Sequence, residues 1–171
     1  EDDILYIMSD GTTYLSNCKE MFKWFSVNNI YFDNADTSMV TDMSYMFGGY
    51  YDDEDNYHSS SQFGELNLES FNTSNVTNMS YMFADLQYID FQLDLSGFDT
   101  SKVKDMSYMF SGCWELTTIY VSNKWSTKSV TKSTNMFRSS SKLVGAIVYD
   151  SNKLSASYAN YTTGYFTLKT T

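Results

Sequence analysis

Proline is absent from this chain of 171 residues, and histidine occurs once, as His58. Without proline, no loop is stiffened by a fixed backbone φ angle. A Ser-His-Asp or Cys-His site would have to use His58, which lies in a serine-rich stretch with no catalytic motif around it. A zinc site would need several histidine or cysteine ligands, and only His58, Cys18 and Cys113 exist. We therefore expect no enzyme and no cofactor, although two carboxylates could still meet in the fold.

Long hydrophobic runs are also missing. No stretch of about 18 apolar residues exists, so the sequence predicts no transmembrane helix. The chain opens on Glu1, Asp2 and Asp3 and not on a signal peptide, but this start is uninformative for a domain excised from a larger protein, which we expect this chain to be. We expect a monomeric domain of such a protein, with no insertion of this segment into a membrane.

Positive charge is scarce. The chain has 11 Lys and Arg against 21 Asp and Glu, which gives a formal net charge of −10 at pH 7. This charge repels nucleic acid and anionic membrane surfaces. Basic protein patches, neutral glycans and cations remain possible partners.

Cysteine is limited to Cys18 and Cys113. The repeat described below separates them by about three units, which is about 14 Å at the spacing of stacked strands. A disulfide needs Cα atoms within about 7 Å. We therefore expect two small buried thiols.

The chain does contain a repeat of eleven residues, Thr-Ser-x-Val-Thr-x-Met-Ser-Tyr-Met-Phe. Copies one to four occupy residues 37–47, 73–83, 100–110 and 127–137, and the fourth is the most altered. Their starting points are 36, 27 and 27 residues apart. A period in this range is typical of solenoids, in which each unit buries its apolar side against the next.

Each copy has the pattern of a short amphipathic helix. In copy two, Val76, Met79 and Phe83 follow i, i+3, i+7 spacing, and Thr73 and Ser74 precede them as N-caps. So short a helix is marginal in water and needs neighbours. Methionines recur beside the phenylalanines, and we interpret them as core filler. They are Met43, Met46, Met79, Met82, Met106, Met109 and Met136.

Short alternating stretches come before the copies, at residues 30–32, 66–71, 93–98 and 119–121. Period-two alternation predicts strands, which stacked repeats would pair in parallel. The predicted fold class is therefore an α/β repeat solenoid. It is a leucine-rich-repeat-like right-handed coil with a short parallel sheet on one side and short helices on the other.

The ends of a solenoid need caps, because an open end exposes a strand edge. At the N-terminus, Asp10 and Gly11 between two apolar runs predict a β-hairpin. At the C-terminus, residues 146–149 and 165–168 predict closing strands. The single domain over residues 1–171 then divides into a cap with a degenerate first coil (1–36), four repeats with an insertion near 48–62 (37–137), and a second cap (138–171).

The repeat, followed downstream by Leu-x-Leu-Ser-x-Phe-Asp/Asn-Thr-Ser, resembles the BspA-like leucine-rich-repeat family of bacterial surface proteins. It is also similar to a repeat catalogued as a domain of unknown function in mycoplasma lipoproteins. The resemblance covers residues 18–137, and residues 164–167 are similar to the family ending. It implies a secreted or cell-wall-displayed bacterial protein associated with adhesion, and it brings no catalytic residues.

The first candidate site is a tyrosine column. Tyr45, Tyr81 and Tyr108 occupy the same position of copies one to three. On a helical wheel this position lies opposite the apolar face, so the rings should point outward. Such a column can stack sugar faces or anchor a protein, but the rings could also only pack on one another.

The second candidate site is the insertion near residues 48–62, since loops on a rigid scaffold often carry recognition. It offers three further tyrosines for binding: Tyr50, Tyr51 and Tyr57. Its carboxylates could bind Ca²⁺, although an EF-hand pattern is absent and such a charge run is usually just solvated. The calcium candidates are Asp52, Asp53 and Asp55, next to Glu54.

Together these features predict a non-catalytic, extracellular adhesion or recognition domain. The expected partner is a host matrix protein, or a protein on a host or microbial cell surface. One alternative is a glycan-binding module that uses the exposed tyrosines. Another is a structural spacer that holds a different domain away from the cell wall.

Overall fold

The structure is a computed structural model that describes residues 4–8, 15–22, 29–33, 35–51, 57–58, 65–86 and 92–170. Short β-strands and turns make up nearly all of its regular structure, with one turn of 3-10 helix at Ala156–Tyr158. The strands in these ranges are β1 (Ile4–Met8), β2 (Asn29–Asp33), β3 (Tyr50–Tyr51), β4 (Tyr57–His58), β5 (Glu65–Asn67), β6 (Gln92–Asp94), β7 (Thr118–Val121) and β8 (Phe166–Leu168).

The strands that precede the repeats pair in parallel. Strand β2 lies between β1 and β5, with Ile30 opposite Leu66. Strand β7 lies between β6 and β8, with Ile119 opposite Leu93. The strands predicted at 30–32 and 119–121 are therefore confirmed as β2 and β7, as is the parallel pairing. Those predicted at 66–71 and 93–98 are confirmed only at their start, because β5 ends at Asn67 and β6 ends at Asp94. Strands β3 and β4 form a separate antiparallel pair within the insertion.

The predicted fold class is wrong. In the ranges given above there is no α-helix, so the helices expected over the four copies are absent. The parallel strands form two separate three-stranded sheets, β1-β2-β5 and β6-β7-β8. This corrects both the α/β class and the right-handed leucine-rich-repeat-like solenoid with helices opposite its sheet.

The polar residues of the repeat explain why no helix forms. Asn78 Oδ1 accepts a hydrogen bond from the backbone N–H of Ser80 at 3.0 Å. The equivalent Asp42 and Asp105 accept the same bond at 2.8 and 2.9 Å. Such local bonds compete with helical hydrogen bonds, and Ser, Thr, Asn and Asp are weak helix formers.

Each copy is built from tight turns instead. In copy two, the N–H of Val76 donates to Thr73 O at 2.9 Å, and the N–H of Met82 donates to Met79 O at 3.2 Å. Val76, Met79 and Phe83 are nevertheless fully buried. The apolar face read from the sequence was therefore right, and the backbone assigned to it was wrong.

Other backbone donors bond to neighbouring copies. In copy two, Met79, Tyr81 and Phe83 all donate to carbonyl groups of copy three. The acceptors are Asp105 O for Met79 (2.9 Å), Ser107 O for Tyr81 (2.9 Å) and Met109 O for Phe83 (3.0 Å). Equivalent residues of neighbouring copies therefore lie side by side, as in a parallel β ladder.

In copies one to three, the first residue is a buried threonine that also bonds to the residue directly before the next copy. Thr73 is 1% exposed, and its Oγ1 donates to Asp99 O at 3.0 Å and accepts from Asp99 N–H at 2.8 Å. Thr37 and Thr100 make the same pair of bonds with the equivalent backbone groups of the following copies. Thr73 is thus a link between repeats, not the N-cap predicted from the sequence.

The last residue of each copy builds the core. Phe22, Phe47, Phe83, Phe110 and Phe137 form one stack of rings with centroids 5.3 to 5.8 Å apart. All five are at most 2% exposed. The seven methionines predicted as core filler are fully buried, which confirms that interpretation. Burial of these side chains is the main apolar stabilisation of the stack.

The predicted caps are confirmed in part. Strand β1 pairs in parallel with β2, and the hairpin turn predicted at Asp10 and Gly11 lies outside the described residues. Strand β8 confirms the second closing strand. At the first, Val144 and Val148 form only an isolated antiparallel bridge.

Both cysteines are free and fully buried, as the sequence predicted. Burial raises the pKa of the Cys18 thiol to about 11 and that of Cys113 to about 12. The Cys113 thiol also donates to Phe83 O at 3.0 Å. Both groups are therefore unreactive thiols near neutral pH, because the thiolate is the nucleophile.

We expect Thr73→Val to destabilise the fold by about 1–3 kcal/mol, because the backbone N–H and C=O of the half-buried Asp99 would both lose their hydrogen bonds to the Thr73 hydroxyl. Thr73→Ser keeps the hydroxyl group, so its cost should be about 1 kcal/mol or less. Urea unfolding followed by circular dichroism measures both. Equal losses for the two variants would contradict the hydrogen-bonding role.

Candidate functional site

The tyrosine column is a stack of rings. The Tyr45 and Tyr81 centroids are 4.4 Å apart with 7° between ring planes, and those of Tyr81 and Tyr108 are 4.7 Å apart with 10°. All three side chains are half-buried. The structure thus brings the three predicted residues together, with their ring faces against one another.

The stacking decides which part of each ring a ligand could meet. Both faces of Tyr81 are covered, one by Tyr45 and the other by Tyr108. A sugar stacks on an open aromatic face, which Tyr81 does not have. What Tyr81 leaves for a partner is the ring edge and the hydroxyl group.

The backbone under the column is strained. Tyr45, Tyr81 and Tyr108 have φ angles of 56°, 57° and 57°. A left-handed conformation costs a residue with a Cβ atom about 1–2 kcal/mol, and Asn or Gly tolerates it best. Asn135 takes this position in copy four with φ of 51°, so the fourth copy carried the one sequence signal for the conformation.

Burial also changes the acidity of the column. It raises the pKa of Tyr81, and the neighbouring Tyr45 and Tyr108 raise it further. Burial likewise raises the pKa of Tyr45, with a smaller contribution from the charge of Glu20. These hydroxyl groups are therefore neutral hydrogen-bonding groups at physiological pH.

Polar residues close the column at both ends. Asn135 Nδ2 donates to the Tyr108 hydroxyl at 3.1 Å. At the other end, Glu20 adopts the same positive φ, 56°, and its N–H donates to Ser44 O at 3.0 Å. The column therefore runs over five equivalent positions, of which the middle three are tyrosine.

The raised pKa values predict a loss of stability at alkaline pH. The folded chain holds these phenolic protons more tightly than the unfolded chain, whose tyrosines titrate near pH 10. The resulting stability is complete below about pH 10 and is lost as the pH rises above that value. In a tyrosinate absorbance titration, we expect a late group of tyrosines that ionises together with unfolding.

Tyr81→Phe should remove one residue from that late group. Titration of all 15 tyrosines near pH 10 in a chain that stays folded by circular dichroism would refute the raised pKa values.

A polar recess lies beside the end of the column, at copy four. Ser133 and Asn135 replace the Met and Tyr of the other copies, and both line this recess of about 470 Å³. The sequence showed the two substitutions but not the recess that they line. The remaining lining residues are Ser107, Thr131, Lys132, Thr134, Asn152, Leu154 and Ser155.

The candidate residues of the insertion are described only in part. The backbones of Tyr50 and Tyr51 pair with those of His58 and Tyr57 in β3 and β4. The calcium candidates Asp52, Asp53 and Asp55 lie outside the described residues. The structure therefore places the backbones of the three insertion tyrosines in one short antiparallel pair of strands.

In the described ranges, no three His, Cys, Asp or Glu side chains are grouped so that they could hold a metal ion. In the same part of the chain, no helix has the length and the hydrophobicity to cross a membrane.

Residues 16–150 match the protein family described as Mycoplasma protein of unknown function, DUF285. The match includes all four copies, the tyrosine column and the phenylalanine stack. The chain belongs to this family. No curated protein and no solved structure shows a significant match.

Proposed function

We propose that this chain is a non-catalytic recognition domain of a secreted or surface-displayed bacterial protein, and that it binds a host or microbial protein through the tyrosine column. Membership of a family of unknown function leaves the activity open. Stacked equivalent copies support the proposal, because they offer an extended and regular surface to a macromolecular partner.

The observation that carries the proposal is the strained, half-buried setting of three identical tyrosines. Copy four shows that the turn accepts Asn135, which fits the positive φ better. The chain keeps tyrosine in three copies although the backbone cost recurs in each. Strained residues often mark functional positions, and tyrosine edges and hydroxyl groups are favoured in protein interfaces.

Glycan binding is a second candidate, favoured by the polar recess at copy four and not by the tyrosine rings. Eight of its nine lining residues carry polar side chains, among them Ser133 and Asn135. Hydroxyl and amide groups of this kind can pair with sugar hydroxyls. A glycan array probed with the chain and with Asn135→Ala tests this candidate, and signal that is absent or unchanged by the substitution removes it.

The proposed location rests on the resemblance of the repeat to BspA-like bacterial surface proteins. These are secreted or wall-displayed proteins associated with adhesion. We extend that association to this chain as part of the proposal.

The test is binding of the chain to a panel of purified extracellular-matrix proteins, measured by biolayer interferometry. The key variant carries Tyr45→Phe, Tyr81→Phe and Tyr108→Phe, which keeps the ring stack and removes three hydroxyl groups. Each lost interfacial hydrogen bond costs about 1 kcal/mol, so we expect at least about tenfold weaker binding.

A matched control carries Tyr120→Phe and Tyr161→Phe, which lie outside the column, and it should bind like the unchanged chain. Failure of the unchanged chain to bind any protein of the panel would contradict the proposal. Equal binding by the triple variant would contradict the role of the column.

A further inference from the structure

The backbone donors in the second half of copies one to three are satisfied in the same way in each copy. The N–H groups of the seventh and ninth residues donate to carbonyl groups of the next copy, as those of Met79 and Tyr81 do. The N–H of the eighth residue donates to the Asp or Asn side chain at the sixth position, as Ser80 does to Asn78. Three consecutive N–H groups of each of these copies therefore have acceptors.

Copy four breaks this pattern. Its sixth residue is a lysine, whose side chain has donors but no acceptor. Of its donors toward a following unit, only the N–H of Phe137 is bonded, to Leu154 O at 3.4 Å. In the part of the chain that the structure describes, the N–H groups of Ser133, Thr134 and Asn135 have no acceptor. The ladder of hydrogen bonds between copies is therefore open at this end.

The three free donors belong to residues that line the polar recess of about 470 Å³. Asn135 has a φ of 51°, and successive N–H groups in a turn of this kind form a concavity that binds anions. Half-buried backbone donors normally have partners, so three consecutive ones without an acceptor need an explanation. A ligand that supplies oxygen acceptors would provide it.

The recess carries positive charge. Lys132 is the one charged residue among the nine that line it. Its Nζ lies 3.8 Å from Asp105 Oδ2 and its side chain is 72% exposed, so this ion pair is weak and Lys132 can turn to a ligand. Lys104 and Lys128 are also exposed, and no acidic side chain in the described ranges lies within ion-pair distance of either. Lys104 is next to the recess, because its carbonyl group accepts from the N–H of the lining residue Thr131 at 2.9 Å.

The part of the chain around the recess is basic as well. Residues 92–170, all of which the structure describes, contain 9 Lys and Arg against 5 Asp and Glu, a net charge of 9 − 5 = +4. Exposed charges interact over about 8 Å at physiological ionic strength, so the local balance matters more than the total. The overall net charge of −10 therefore does not describe this end of the repeat.

We propose that the recess at copy four binds an acidic glycan through the carboxylate or sulfate group of one of its sugars. The oxygens of that group accept hydrogen bonds from the free N–H groups of Ser133, Thr134 and Asn135, in place of the carbonyl groups that a fifth copy would supply. Hydrogen bonds to an ionised acceptor are about twice as strong as those to a neutral one, and a lysine adds its charge. Other polar side chains of the recess can pair with sugar hydroxyls.

This ligand class deepens the glycan-binding candidate described above and rests on it. It is independent of protein binding through the tyrosine column. The column offers ring edges and hydroxyl groups, whereas the recess offers backbone N–H groups and a lysine.

A nuclear magnetic resonance titration with three tetrasaccharides tests the ligand class. Hyaluronan tetrasaccharide carries carboxylates, keratan sulfate tetrasaccharide carries sulfates, and chitotetraose is neutral. We expect an acidic probe to shift the backbone amide signals of Ser133, Thr134 and Asn135. It should bind at least about tenfold more tightly than chitotetraose, and which acidic probe binds identifies the anionic group.

Lys132→Asp supplies the recess with a carboxylate of the chain itself. Asp42 and Asp105 occupy this position in copies one and three and accept the N–H of the eighth residue, so the fold should accept the change. We expect at least about tenfold weaker binding of the acidic probe, because the lysine is lost and one donor is occupied. Lys132→Asn reproduces Asn78 of copy two without a negative charge, and its loss of binding should be smaller.

The matched control is Lys128→Asp, which changes the net charge by the same amount at an exposed residue that does not line the recess. Its affinity for the acidic probe should stay within about threefold of that of the unchanged chain. Circular dichroism checks that all three variants fold.

Three outcomes would overturn the proposal. Equal binding of chitotetraose and the acidic probes would remove the preference for an anion and leave glycan binding at the recess intact. Equal losses of affinity in Lys128→Asp and Lys132→Asp would show a general charge effect instead of a site. Amide signals of Ser133, Thr134 and Asn135 that no probe shifts would contradict glycan binding at the recess altogether.

Discussion

The fold depends on backbone hydrogen bonds between equivalent residues of neighbouring copies. Helices would satisfy these groups within each copy, but the short, Ser-, Thr- and Asn-rich units do not form them. The donors of Met79, Tyr81 and Phe83 point to copy three instead, and the buried Thr73 hydroxyl adds a second link. Every copy is then fixed in register with the next, and this register stacks the phenylalanines on one side and the tyrosines on another.

The same register gives the surface its properties. Residues at the same position of neighbouring copies lie next to each other. The three tyrosines at one such position therefore form a column. A residue type that varies from copy to copy also varies along one line of the surface, as in the bridged series Asp42, Asn78, Asp105 and Lys132. The functional proposals therefore rest on neighbouring copies lying side by side, and not on any one residue.

Much of the packing could be predicted from the sequence, and much of the backbone could not. Buried residues such as Val76 and Phe83, the strands before the copies and the two buried thiols follow from apolar pattern and spacing. The prediction of helices was wrong because i, i+3, i+7 spacing also fits a pair of tight turns. Backbone donors in such a unit are then available to bond to another copy. Tyrosine at one repeated position predicted the column. The positive φ of Tyr81 and its covered ring faces depend on register. Only Asn135, at the equivalent position of copy four, indicated the positive φ from the sequence.

The most direct test of this account is nuclear magnetic resonance detection of scalar couplings across hydrogen bonds. The structure predicts couplings from the amide nitrogens of Met79, Tyr81 and Phe83 to the carbonyl carbons of Asp105, Ser107 and Met109 in the next copy. An α-helix over copy two would instead couple Phe83 to Met79, four residues earlier. Couplings within the copy, without those to copy three, would contradict the account.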